Sequence, residues 1–77
     1  MNACLLMRPG PRRLRPTFYR IEIARNLFGE FSVIREWGRI GGRPCARVDL
    51  FEGLLEASRA ADRHRRARMR GGYARID

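Results

Sequence analysis

The chain has no lysine, one histidine, one tryptophan and two cysteines. Cys4 and Cys45 are too few for the disulfide framework of a small secreted scaffold. With the single His64 they also fall short of the roughly four ligands that a structural zinc requires. No nucleophile, carboxylate or second histidine stands at a spacing that would give His64 catalytic work, so His64 reads as a residue at the edge of the core. Gly41-Gly42 alone does not make a phosphate-cradling loop, so neither a catalytic residue nor a cofactor or metal is expected. No apolar run approaches the roughly 20 residues that span a bilayer. The opening Met1–Met7 is apolar, but it lacks a leading positive charge and is too short for a signal-peptide core. The expectation is a soluble, cytoplasmic protein without a membrane partner.

Charge is abundant, and mostly of one sign. Seventeen arginines stand against eight acids, a formal charge of +9 on 77 residues. Part of this bias can reflect base composition, since Ala, Gly and Arg are frequent together. The charge is physical whatever its origin. A body this small and positive attracts polyanions, nucleic acid first. Its length allows one domain with a single core.

Residues 1–17 contain Pro9, Pro11 and Pro16 among Arg8, Arg12, Arg13 and Arg15. Proline removes ladder donors and like charges repel, which predicts a basic arm in which Leu5–Met7 could pair briefly as an edge strand. Residues 18–77 then form the domain. Phe18–Arg25 alternates, with Tyr19, Ile21 and Ile23 on one side, and predicts a strand with one buried face. Asn26-Leu27-Phe28-Gly29 carries turn chemistry at both ends. Leu27 and Phe28 are so apolar that at least one is expected to fold back beneath the sheet. Glu30–Ile40 is a second strand of mixed alternation, with Phe31, Val33, Arg35 and Trp37 on one side and Ser32, Ile34, Glu36 and Gly38 on the other. Either side can face the core, and neither choice fully encloses Trp37. After the tight Gly41–Pro44 connection, Cys45–Phe51 is a third strand, with Ala46, Val48 and Leu50 alternating against Arg47 and Asp49. Glu52–Arg70 predicts the one helix, with Leu54, Ala57, Ala61 and His64 as the packing stripe, widened by Leu55 and Ala60. Gly71-Gly72 stops it, and residues 73–77 can return as a short last strand. The fold class is α+β, a small antiparallel sheet of about four strands with one helix on one face.

Two groups of residues carry chemistry. Trp37 offers a flat face and one N–H donor, Gly38 lacks a side chain that would hold a ligand away, and Arg39 adds a planar fork of donors for phosphate or carboxylate oxygens. Arg59, Arg63, Arg66 and Arg70 fall at helical spacing on a solvent strip. Together with Arg65 and Arg68 they crowd the last turns against Asp62 alone. One sign dominating a dozen residues costs self-repulsion and favours an anion-binding role over plain solvation.

The stretch Arg35-Glu36-Trp37-Gly38-Arg39-Ile40-Gly41 resembles the signature of WGR domains. Phe18-Tyr19, Leu27-Phe28-Gly29, Arg47, Ala57 and Gly72-Tyr73 agree with the family in order, the Leu-Phe-Gly turn as in its short bacterial members. The resemblance covers about residues 17–73. It implies the same sheet-and-helix fold and DNA binding without catalysis. In poly(ADP-ribose) polymerases the domain helps recognise DNA breaks, its Trp packing on the sugar-phosphate and its Arg linking DNA to neighbouring domains. Carried over, Trp37 packs on a backbone sugar, Gly38 permits the approach, and Arg39 meets phosphate or a partner. Neither a zinc finger nor an ADP-ribosyl transferase segment accompanies the module in this chain. Phe31 stands where many relatives have Trp, and Arg68 where many have Lys. The expected nucleic-acid-binding set is Arg35, Trp37, Gly38, Arg39, Arg43, Arg47, Arg63, Arg66, Arg68 and Arg70. A protein partner at the Trp-Gly-Arg strand, or RNA in place of DNA, are the alternatives.

Overall fold

The computed structural model describes residues 3–10 and 15–77. Its strands are β1 (Ala3–Arg8), β2 (Thr17–Arg25), β3 (Phe31–Arg39), β4 (Cys45–Phe51) and β5 (Ala74–Arg75), with helix α1 (Leu54–Arg70) between β4 and β5. They form one five-stranded sheet in the order β4-β3-β2-β1-β5, and every described pairing is antiparallel. The sheet therefore has one strand more than the sequence suggests, and the extra strand is β1. Ala3–Arg8 is not an arm. It pairs with β2 along its length and with β5 on its other edge. Leu6, fully buried, anchors the segment to the core, and ladder hydrogen bonds to β2 and β5 on its two edges hold the rest of it. Arg12 and Arg13 of the expected arm lie outside the described residues.

The register sorts the side chains into two faces, because successive residues of a strand point opposite ways. Leu6 pairs with Tyr19 and Tyr19 with Trp37, Ile21 with Arg35, Ile23 with Val33, and Phe31 with Phe51. This is the face that α1 covers. Tyr19, Leu6 and Val33 are its largest fully buried side chains, joined by Ile21, Ile23, Ala57 and Ala60. The helix contributes small residues to the core, so its axis can lie close to the sheet while Tyr19 fills the space. Leu54 and Leu55, expected in the stripe, are 44% and 63% exposed. They sit at the first turn, where the helix has only begun to cross the sheet.

The register also reverses the natural reading of β4. Its alternation invites placing Ala46, Val48 and Leu50 inward. Phe51 opposite Phe31 fixes the other phase, so Asp49 and Arg47 share the helix-side face with Val33 and Arg35. A one-residue difference in phase exchanges every side chain between the faces.

The helix ends are closed by backbone. Gly53 is an extended N-cap with no side-chain bond, and the Ala57 N–H donates to its carbonyl at 3.1 Å. At the other end Tyr73 N–H donates to Arg68 O and Gly72 N–H to Met69 O, with Gly72 at φ 96°. That is the Schellman pattern, and it turns the chain back toward β5.

The β2–β3 turn is held by Asn26, whose Oδ1 accepts from the N–H groups of Phe28 and Glu30, both at 2.9 Å. Neither Leu27 nor Phe28 folds back; they are 101% and 88% exposed. At this end of the sheet Arg25, 5.7 Å from the Phe31 ring, takes the place over that aromatic side chain.

Candidate nucleic-acid interface

Trp37 stands near the end of β3, half-buried, against Tyr19 of β2 and Arg35 of its own strand. Its ring stacks on Tyr19 with centroids 5.7 Å apart and planes 21° apart. Tyr73, just beyond α1, meets Tyr19 edge-on at 6.2 Å. Three guanidinium groups lie over this aromatic row: Arg35 5.7 Å from Trp37, Arg68 4.4 Å from Tyr19, and Arg8 4.7 Å from Tyr73. Each ring face attracts a cation, so the row holds arginines that would otherwise repel one another. Tyr19, Tyr73 and Arg8 are absent from the expected nucleic-acid-binding set. Their separation along the chain hides the row, and Phe18-Tyr19 and Gly72-Tyr73 are the signals the sequence offers for it.

Register places Arg8, Thr17 and Arg39 in one row at this end of the sheet. The C-terminus of α1 reaches the same end, where Arg8 Nη1 donates to Gly71 O at 3.1 Å. Arg39 and Arg43 are exposed there, and neither makes an ion pair among the described residues. Arg47, exposed, faces the helix side opposite Arg35. Arg70 closes the helix, and Arg63 lies exposed about two turns before it. Most acids lie away from this rim, and Asp49, close beneath it, is taken up by Arg35. Glu30, Glu52 and Glu56 lie at the far end, Glu22 and Glu36 on the uncovered face, and Asp49, Asp62 and Asp77 in ion pairs.

Two residues of the expected set are engaged elsewhere. Arg35 is turned inward, its side chain 12% exposed, with Nη2 3.5 Å from Asp49 and Nη1 3.3 Å from Tyr19 Oη. It braces the rim from beneath and does not present its fork to solvent. Arg66 is exposed but bound to Asp62 at 2.8 Å, and Asp62 also accepts from Arg65. These two guanidinium groups hold the Asp62 carboxyl below the ordinary carboxylate range, the Arg65 hydrogen bond contributing most.

Gly38 has a reason of its own. A Cβ there would lie 3.3 Å from Arg43 O and from Pro44 Cα. The space freed by the missing side chain is taken by the β3–β4 loop, which corrects the expectation that it admits a ligand backbone. Gly38→Ala should push the loop aside and lower stability by about 1–3 kcal/mol, as overpacking does, read as a lower urea midpoint.

His64 sits between Arg35, 3.5 Å from its Nδ1, and the neighbouring Asp49, with Arg63 and Arg68 nearby on the helix. Burial lowers its pKa, as do Arg35, Arg63 and Arg68, against a smaller opposing effect of Asp49. The folded state therefore takes up a proton less readily than the unfolded chain. Stability is fully present above the unfolded value of about 6.5 and falls as pH drops through it. Urea midpoints between pH 8 and pH 5 should show this decline, and His64→Gln should flatten it.

The WGR domain family model matches residues 3–77. The chain belongs to the WGR domain family. The match includes β1, in agreement with its place inside the sheet. No curated protein and no solved structure matches the chain. WGR domains are non-catalytic modules, and among the described residues there is no group of three metal-ligating side chains. Nor is any described helix long and apolar enough to cross a membrane. In this WGR domain the tripeptide divides its labour: Trp37 caps the aromatic row, Gly38 admits the β3–β4 loop, and Arg39 projects outward.

Proposed function

We propose that this WGR domain binds DNA through the backbone, with Trp37 packing against the sugar-phosphate and Arg39, Arg43, Arg47, Arg63, Arg68 and Arg70 holding phosphates. The observation that carries this reading is the charge polarity of the rim. Exposed arginines from β3, the β3–β4 loop and the end of α1 gather around a half-buried indole, and the acid beside it, Asp49, is already paired with Arg35. Planar guanidinium groups bind phosphate oxygens in pairs, and an aromatic ring packs on a sugar or an unstacked base. Contacts of this kind carry little sequence information, so selectivity is for ends or nicks over sequence. The same reading puts the chain in the cytoplasm, on the nucleic acid.

Fluorescence anisotropy with a nicked DNA hairpin tests it. Trp37→Ala should weaken binding by roughly 1–3 kcal/mol, about 5- to 150-fold. A folded Trp37→Ala variant that binds as tightly as the parent removes the indole from the interface. Competition by short RNA at equal or lower concentration moves the assignment to RNA. A protein adaptor is the second reading, and Leu27 and Phe28 at the exposed hairpin tip favour it. A specific protein retained in a pull-down after nuclease treatment would support that alternative.

A further inference from the structure

The sheet has two faces, and among the described residues the helix covers only one of them. When an antiparallel sheet leaves a face to water, that face is ordinarily polar. Here it is not. The uncovered face carries Leu5, Met7, Phe18, Ile34, Val48 and Leu50, with Val48 and Leu50 each 55% exposed. At its centre Arg20 bridges Glu22 at 2.8 Å and Glu36 at 3.6 Å, a cluster of one cation and two carboxylates. The strands contain seven arginines, and the register puts six of them on the helix side; Arg20 alone lies on this face.

We propose that this face packs against the same face of a second copy, forming a two-fold symmetric dimer. The charge distribution selects the partner. A chain of net charge +9 repels its own copies wherever arginines dominate, and this apolar face with a net negative centre is where that repulsion is least. An isologous contact is self-complementary, so each Arg20 can be offered to the other copy's Glu22 and Glu36. The size fits as well. The five strands, of six, nine, nine, seven and two residues, lie about 4.8 Å apart with about 3.3 Å per residue and present about 520 Å² per copy. Two copies bury about 1,000 Å², at the lower limit of specific interfaces, which describes a weak and reversible dimer. Sheets stacked this way lie about 10 Å apart with their strands within about 30° of alignment. The two helices then face outward in opposite directions, leaving both Trp37 rims open.

Sedimentation velocity on the nuclease-treated full chain tests this, from about 10 μM to about 1 mM. Salt near 0.5 M screens the net charge and should strengthen association, the reverse of its effect on nucleic-acid binding. The mean mass should rise from 9.0 kDa toward twice that value. Leu50→Glu and Val48→Glu replace side chains already more than half exposed, so circular dichroism melts should stay close to the parent's. Each should weaken association at least tenfold. Arg20→Glu should abolish it, and mixing that variant with the Glu22→Arg/Glu36→Arg double variant should restore a pair. A parent chain that stays monomeric at 1 mM overturns the proposal, whatever the face binds instead. So does association that Leu50→Glu leaves unchanged, or a mixture that fails to pair. Anisotropy on DNA at nanomolar protein, where only monomer is present, reads the nucleic-acid function separately.

Discussion

Tyr19→Ala is expected to remove about 3–5 kcal/mol of unfolding free energy, the cost of emptying a large aromatic site in a core. A domain this small holds little more than that, so the variant should be largely unfolded at 25 °C. Tyr19 is fully buried and stands where the aromatic row, β1 and the helix end meet. Its removal opens a cavity and also strips Trp37 of its stacking partner and Arg68 of the ring beneath it. Tyr19→Phe keeps the ring and loses only the hydroxyl that accepts from Arg35 at 3.3 Å, so it should cost about 1 kcal/mol. Urea denaturation followed by circular dichroism measures both. An alanine variant within about 1.5 kcal/mol of the parent would mean that the core does not centre on this ring, because truncations of buried aromatics cost more.

The second large effect concerns salt. If four to six phosphates are neutralised, log affinity for duplex DNA should fall with log salt at a slope of about −3 to −5, a loss of about 10³- to 10⁵-fold between 0.05 and 0.5 M. The structure ranks the arginines within that slope. Arg39→Ala and Arg43→Ala should each reduce it by about one, since both guanidinium groups are exposed at the rim without acidic partners among the described residues. Arg66→Ala should change it least, because Asp62 already occupies that guanidinium. Arg35→Ala should act through stability, since its partners Asp49, Tyr19 and His64 all lie within the fold. A flat salt response would dismiss the backbone-binding reading altogether.

The residues most readily interpreted from sequence were those whose local pattern and tertiary environment agree. Tyr19, Ile21 and Ile23 alternate and are buried, and the helix stops at Gly71-Gly72 as its punctuation suggests. β1 was obscured by the prolines and arginines that follow it. A strand of six residues is specified mainly by the partner edges on either side, which local composition does not contain. Leu27 and Phe28 misled through the assumption that a bulky apolar side chain finds cover. Leu50 and Val48 alternate as a buried side would yet stay exposed, because apolar residues mark a face to be covered without saying by what.

The sequence by itself determined the periodicities, the helix boundaries, the sign of the charge and the Trp37-Gly38-Arg39 signature that assigns the family. These are set by each residue's chemistry and that of its near neighbours along the chain. Tertiary structure decided which face of β4 is inside, that β1 lies within the sheet, that Arg35 and Arg66 are spoken for, and that the gap at Gly38 belongs to the Arg43-Pro44 loop. Each depends on pairing between segments far apart in the chain. A shift of one residue in that pairing exchanges buried for exposed without altering any local pattern.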